Sequence, residues 1–170
     1  MGGRVAVVVG AGGELGFATS VVLADAGFSV TAVDRTAKAL EALPDGIRRE
    51  VGDGTDRAVA KDLVDRIATE SGPPEVLVNT LGAFRPGDAL SATPEDLHLM
   101  LDVNLAAALW LGQAVTPYMR ERGGGAIVHV SARPASEPTA GTAAYNLGKA
   151  ALNHPSSASS TWSCDPTASR

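Results

Sequence analysis

Apolar residues occur along this chain in short unbroken runs, each followed by a polar or helically spaced stretch. The run at 5–9, Val5-Ala6-Val7-Val8-Val9, has no polar member. A parallel strand covered on both faces needs no alternation, so this run reads as a buried strand. Runs at 28–33, 47–51, 75–78 and 126–130 predict four more strands. Between them lie an amphipathic segment from 14 to 26, a polar helical stretch at 36–43, a helix over 57–70 and a long helix from Thr93 to about Arg122. In the 57–70 helix, Val59, Leu63, Val64 and Ile67 recur at helical spacing, with Thr55 read as the N-cap. Thr93-Pro94-Glu95-Asp96 supplies a cap, a proline at the first helical position and acidic residues in the first turn. Pro117 predicts a kink or break, and Gly123-Gly124-Gly125 a stop. A last helix begins near Thr142. Five strand-helix alternations predict an α/β fold, a doubly wound parallel sheet of about five strands with helices on both faces and right-handed crossovers.

The pattern ends at Pro155. Residues 155–170 hold six serines, two threonines and two prolines with no hydrophobic period. Such a composition cannot offset its ordering entropy by burial, so a domain at 1–154 followed by a disordered Ser-rich tail at 155–170 is expected. The sheet would then be incomplete at its C-terminal end, with the fifth strand an open edge. A frameshift or truncated reading frame would produce so abrupt a change.

Composition narrows the function. At 170 residues the chain suits one domain, and 45% hydrophobic with only 4% aromatic content suits Ala/Val/Leu-rich packing. A formal charge of −5 leaves no basic footprint, so nucleic acid is not expected as a partner. No apolar run approaches the roughly 20 residues of a membrane span. The first strand begins too early for a signal peptide, and the single cysteine, Cys164, has no partner for an internal disulfide. A cytoplasmic location without a membrane partner is the expectation.

The chemistry starts where the first strand ends, in Gly10-Ala11-Gly12-Gly13-Glu14-Leu15-Gly16. Glycine permits positive φ and close backbone approach, and the following helix presents free N–H groups and a partial positive charge to a pyrophosphate. Asp34 closes the second strand, 18 residues beyond Gly16, where a carboxylate can accept hydrogen bonds from an adenosine ribose. A carboxylate there disfavours the 2′-phosphate of NADP and argues for NAD; Arg35 beside it weakens that preference. Tyr145 and Lys149 are four apart and share one helix face. A neighbouring ammonium favours an ionised phenol, which suits general acid/base work. His98, His129 and His154 have no metal-binding spacing, and no metal is expected.

Taken together these residues resemble the short-chain dehydrogenase/reductase family from residue 4 to about 154. Tyr145-Asn146-Leu147-Gly148-Lys149 is similar to its Tyr-x-x-x-Lys element, Asn79-Thr80-Leu81-Gly82 to its Asn-Asn-Ala-Gly stretch, and Asp102-Val103-Asn104-Leu105 to its asparagine-bearing helix. The resemblance implies a Rossmann-type fold and an NAD(P)-dependent oxidoreductase that transfers hydride between nicotinamide and a carbonyl or secondary alcohol. It implies catalytic roles for Tyr145, Lys149, Ser131 and Asn104, Lys149 also holding the nicotinamide ribose and Asn104 anchoring a water. Gly10, Gly12, Gly13, Leu15, Gly16, Asp34, Arg35, Asp53, Asn79 and Gly82 would bind the cofactor, Asp53 at the adenine. It leaves open whether the chain forms a homo-oligomer.

Two local departures stand out. Glu14 occupies the place of the family's usual second glycine, and is expected to face solvent. The catalytic serine lies 13 residues before the tyrosine in the usual alignment; here that residue is Ala132, with Ser131 one earlier. Either Ser131 serves or the serine role is absent, as in dihydropteridine reductase-like members. A non-catalytic dinucleotide-binding fragment is the alternative from another class.

Overall fold

The computed structural model describes residues 3–157. Strands β1 (Val5–Val9), β2 (Ser29–Asp34), β3 (Arg48–Val51), β4 (Pro74–Asn79) and β5 (Ala126–His129) form one parallel sheet in the order β3-β2-β1-β4-β5. The order reverses at β1, whose neighbours are β2 and β4, and it is beyond the strand ends at such a reversal that open α/β sheets form their crevice. The helices are α1 (Glu14–Asp25), α2 (Arg57–Ser71), α3 (Pro94–Leu101), α4 (Ala107–Glu121) and α5 (Ala143–Ser157).

β1 is buried along its whole length, as its unbroken apolar run requires. Val5, Val7 and Val9 pack with Leu63, Val64 and Ile67 of α2 and with Leu111, Val115 and Met119 of α4. Ala6 and Val8 share the opposite core with Val30, Ala32 and the α1 residues Phe17 and Val21. Alternation in β1 therefore sorts two apolar faces. The helical rod 94–121 is long and apolar enough, by length and composition alone, to cross a membrane. Its apolar side instead lies in the core, where Leu111, Val115 and Met119 have no exposed surface.

Several elements differ from the sequence expectation. The stretch 36–43 makes one 3-10 turn, Ala37–Leu40, capped by the Thr36 side chain. Pro44 has no N–H to offer the Leu40 carbonyl, and Arg49 donates instead to the carbonyls of Leu40 and Leu43. The cap of α2 is Asp56 rather than Thr55: its carboxylate accepts from the amides of Ala58 and Val59, while Thr55 turns back to Asp53. The long helix is interrupted at a π turn, Asp102–Ala106, and α4 runs on through Pro117. Pro117 is exposed beside exposed Gln113, so water can serve the carbonyl that the proline cannot. Thr93 does cap α3, reciprocally with Asp96 in a capping box. The helix α5 passes the expected boundary at Pro155 and reaches Ser157; the rest of the expected tail, 158–170, lies outside the described residues.

The position of α1 depends on one close contact. A Cβ at Gly16 would lie 2.3 Å from the Gly10 carbonyl oxygen, whereas one at Gly13 would meet nothing nearer than 3.5 Å. Gly16→Ala should therefore cost about 2–3 kcal/mol in urea unfolding, by forcing α1 off β1. Gly13→Ser, at the N-cap of α1, should stay within about 0.5 kcal/mol of the parent. Equal losses at the two positions would contradict this packing.

Candidate active site

The glycine turn is held by backbone. The amides of Gly10 and Ala11 both donate to the Val33 carbonyl (2.9 and 3.0 Å), and the Gly13 amide donates to the Gly10 carbonyl (3.2 Å). Thr80, just past β4, donates its hydroxyl to the carbonyls of Val9 and Gly10, fastening the turn across the crevice. Gly10 has φ +83°, and a Cβ there would lie 2.7 Å from Thr80 Oγ1. At Gly12 a Cβ would lie 2.5 Å from the Ala39 methyl. Gly13 caps α1 without a side chain to accept from the first-turn amides, which leaves them to a ligand. Glu14 and Leu15 are exposed at this helix start, Glu14 as expected.

The neighbouring acids are fixed. Asp34 Oδ2 accepts from the Gly12 amide at 3.0 Å and Oδ1 from the Arg35 amide at 2.8 Å. A carboxylate has further acceptor capacity, so Asp34 is oriented but not exhausted. Asp53 accepts from both the amide and the hydroxyl of Thr55. Burial pushes the Asp53 carboxyl up, but the Thr55 bonds and the Arg35 guanidinium outweigh it and hold it below the usual carboxylate value.

A second group of polar side chains gathers beyond β4 and β5. Asn104 is 1% exposed within the π turn; its Nδ2 donates to the Ala83 carbonyl (3.0 Å) and its Oδ1 accepts from the Ala83 amide (3.2 Å). The Lys149 ammonium, 4% exposed, donates to the Val130 carbonyl at 2.9 Å, and burial pushes its pKa below the usual lysine value. A Cβ built at Gly82 would be 3.5 Å from Asn104 Oδ1 and 3.6 Å from Lys149 Nζ, so these three residues converge. Gly148 brings α5 against the π turn, its Cβ position only 2.7 Å from the Met100 carbonyl. Asn79 accepts from the Leu81 amide and lies 3.4 Å from His129 Nδ1. Tyr145 stands one turn before Lys149, its ring edge-on to Phe84 at 5.0 Å.

Ser131 Oγ is closed to solvent and has no hydrogen-bond partner among the described residues. Ser131 lies two residues past the end of β5, between Val130, whose carbonyl Lys149 engages, and the 3-10 turn at Arg133–Ala135. Ile127 packs in the core shared with α4. Three residues near the site have no role in the sequence reading: Thr80, Phe84 and His129. Phe84 carried a readable signal, being one of only three phenylalanines and standing two residues past the Asn79–Gly82 motif.

A crevice lined by hydrogen atoms where side chains would stand, with open helix amides on one side and an oriented carboxylate on the other, has the form taken by Rossmann-type dinucleotide-binding proteins. Residues 4–160 match the sequence profile described as short chain dehydrogenase, and the chain is a member of that family. It is 32% identical over 156 residues to the 2,3-dihydro-2,3-dihydroxybenzoate dehydrogenase of Bacillus subtilis, covering 88% of this chain and 60% of that protein. Among solved structures, an NAD+-bound xylitol dehydrogenase superposes with a TM-score of 0.86 at 25% identity, covering 91% of this chain and 64% of that one. The L-sorbose reductase of Gluconobacter frateurii, complexed with NADPH and L-sorbose, gives 0.86 at 28% identity, with 94% and 64% covered. The chain spans about half to two thirds of the length of the curated relatives it matches, 52% in one case and 64% in another.

His129 makes this site sensitive to acid. Burial first, and the Lys149 ammonium second, push its imidazole down to about 4. An unfolded histidine titrates near 6.5, so between about pH 6.5 and 4 the unfolded chain takes up a proton that the folded chain refuses. The resulting stability is complete above pH about 6.5 and is lost on descending to about 4, to an extent on the order of 3 kcal/mol. Unfolding free energies of the parent and His129→Gln, compared at pH 7.5 and 4.5, should show a shallower dependence in the variant. Parallel dependences would place the acid sensitivity elsewhere.

Proposed function

We propose that this chain is an NAD-dependent oxidoreductase that interconverts a small-molecule carbonyl compound and its secondary alcohol. The observation that carries the reading is the convergence of Lys149, Asn104 and Gly82 beside Tyr145, on the far side of the crevice from the glycine turn. Family membership supports it, since the relatives are named as dehydrogenases and reductases.

The glycine cradle fits a dinucleotide: Gly10, Gly12, Gly13, Leu15 and Gly16 would lie against its pyrophosphate, Asp34 would accept from the adenosine ribose, and Asp53 would face the adenine. The preference for NAD rests on Asp34, whose oriented carboxylate repels a 2′-phosphate. Arg35, the basic residue beside it, is close enough to Asp53 to act on that carboxyl and is partly balanced by it. Both NAD+ and NADPH occur among the structural relatives, so the choice falls to these local charges.

When bound, the nicotinamide supplies or accepts the hydride. Tyr145 moves the proton at the substrate oxygen, giving it in reduction and taking it in oxidation. Lys149, steered by the Val130 carbonyl, provides the positive charge on the tyrosine's helix and a donor to the nicotinamide ribose. Asn79 and Gly82 border that half of the cradle. Asn104 fixes the Ala83 peptide through both ends of its amide and so sets the loop that faces Tyr145. Ser131 is the hydroxyl left to polarise the substrate oxygen: it directly follows Val130, whose carbonyl accepts from Lys149, and its Oγ has no competing bond among the described residues. A cytoplasmic location, no nucleic-acid or membrane partner and self-association through the long helices belong to the same reading.

Titration of NADH by fluorescence tests the cofactor half. The parent should bind NADH saturably and more tightly than NADPH, and Asp34→Ala should weaken NADH by about ten-fold or more. Tyr145→Phe should bind NADH as the parent does while turnover falls by about 10²–10⁴-fold. Tighter binding of NADPH, or an Asp34→Ala protein with unchanged NADH affinity, would defeat the proposed preference.

A further inference from the structure

Phe84 is a large apolar side chain left 60% exposed. Its neighbourhood fixes it in that state. The preceding residue, Ala83, is held at both its amide and its carbonyl by the buried Asn104. Three residues on, the Gly87 amide donates to the Gly141 carbonyl (2.7 Å) and the Ala143 amide donates to the Gly87 carbonyl (2.9 Å). The loop after β4 is thereby strapped to the start of α5, the helix that carries Tyr145. Between these two anchors the Phe84 ring meets the Tyr145 ring at 5.0 Å and 80°, an edge-to-face contact that leaves ring surface uncovered.

The charges on the adjoining loops are turned to other partners. Arg85 lies 3.8 Å from Asp96 at the start of α3. Arg133 pairs with Glu137. Lys149 is committed to the Val130 carbonyl, and His129 is held neutral at ordinary pH by its burial. Each of these groups thus already has a partner or is neutral, and the exposed side chain that touches the tyrosine ring is the apolar Phe84.

We propose that Phe84 recognises the substrate: its open ring surface receives the group that bears the reacting carbon, so the chain takes uncharged ketones carried on or next to an aryl or alicyclic ring, and the matching alcohols. This rests on the oxidoreductase reading above and adds the substrate class. Held against Tyr145, a ring seated on Phe84 puts its attached oxygen next to the phenol, and contact area increases with the flatness and size of the ring. Straight-chain ketones lack that surface and gain little from the same residue.

The experiment uses the purified chain. NADH is titrated first into the parent, Phe84→Ala and Phe84→Leu. Acetophenone, cyclohexanone and 2-butanone are then titrated separately by NMR in the presence of saturating NAD+, an oxidised pairing in which no hydride can transfer. Phe84→Ala should weaken acetophenone and cyclohexanone by about five-fold or more and change 2-butanone by less than about two-fold. Phe84→Leu, which keeps apolar volume without a flat face, should recover cyclohexanone more fully than acetophenone. NADH affinity should be the same in all three proteins. Unchanged ring-ketone binding in Phe84→Ala, or an equal loss for all three ketones, would overturn the assignment. So would the absence of ring-ketone binding to a parent that binds NADH. Failure of the parent to bind NADH would instead remove the oxidoreductase reading on which the assignment stands.

Discussion

At two places backbone meets backbone across a gap that admits only a hydrogen atom. Gly16 lets α1 start directly over the Gly10 carbonyl, and Gly148 lets α5 lie directly on the Met100 carbonyl ahead of the π turn. One contact sets the glycine turn against the sheet and the other sets the Tyr145–Lys149 helix against Asn104. Interiors are packed closely enough that a methyl group at either point has to displace a whole element. The spacing between the two halves of the crevice is thus fixed by main chain. Thr80 links them again, from the end of β4 to the ends of β1 and the turn.

Charge is distributed with the opposite logic at the two ends of the sheet. At the amino end, Glu75 receives both Arg4 and Arg122 at 2.9 Å, an exposed ion-pair cluster whose energetic worth is small in water. At the carboxyl ends of β4 and β5 two ionisable groups are withdrawn from water: Lys149 has a carbonyl for a partner, and His129 is neutral. Keeping a lysine in such a setting is costly for stability, and the cost makes sense where a nearby group must exchange protons.

Much of this arrangement was legible in the residues. The unbroken apolar run of β1, the glycine turn and Asp34 are local signals, and each gives its element directly. Capping by Thr93 was equally local, down to the acidic residues of the first turn. What escaped depended on partners distant in sequence. No pattern within 36–43 reveals that Arg49 will take its carbonyls. Thr55 and Asp56 are both acceptable caps, and only the bond from Thr55 to Asp53 decides between them. Pro117 carried a strong local warning, but the irregularity went to 102–106, where Asn104 must reach Ala83. Phe84 and His129 acquire meaning only from the helix and strand that fold beside them. The setting of Ser131, next to the carbonyl that Lys149 reaches, follows from how α5 folds against the end of β5, which the sequence leaves unstated.

The π turn has a consequence for how this rod tolerates insertion and deletion. A π turn holds an additional residue relative to regular winding, and each residue of an α-helix turns the chain by about 100°. Loss of one residue from 102–106 would restore a regular helix and would seem, on propensity alone, a repair. It would also leave the flanking helices nearly in phase, because the wide turn takes up its additional residue at less rotation per residue. Leu111, Val115 and Met119 would still face the sheet, and α3 would still lie on α5. What would be lost is the bulge that carries Asn104 to Ala83. The irregular turn thus adds a residue at the site without moving the packing surfaces on either side of it.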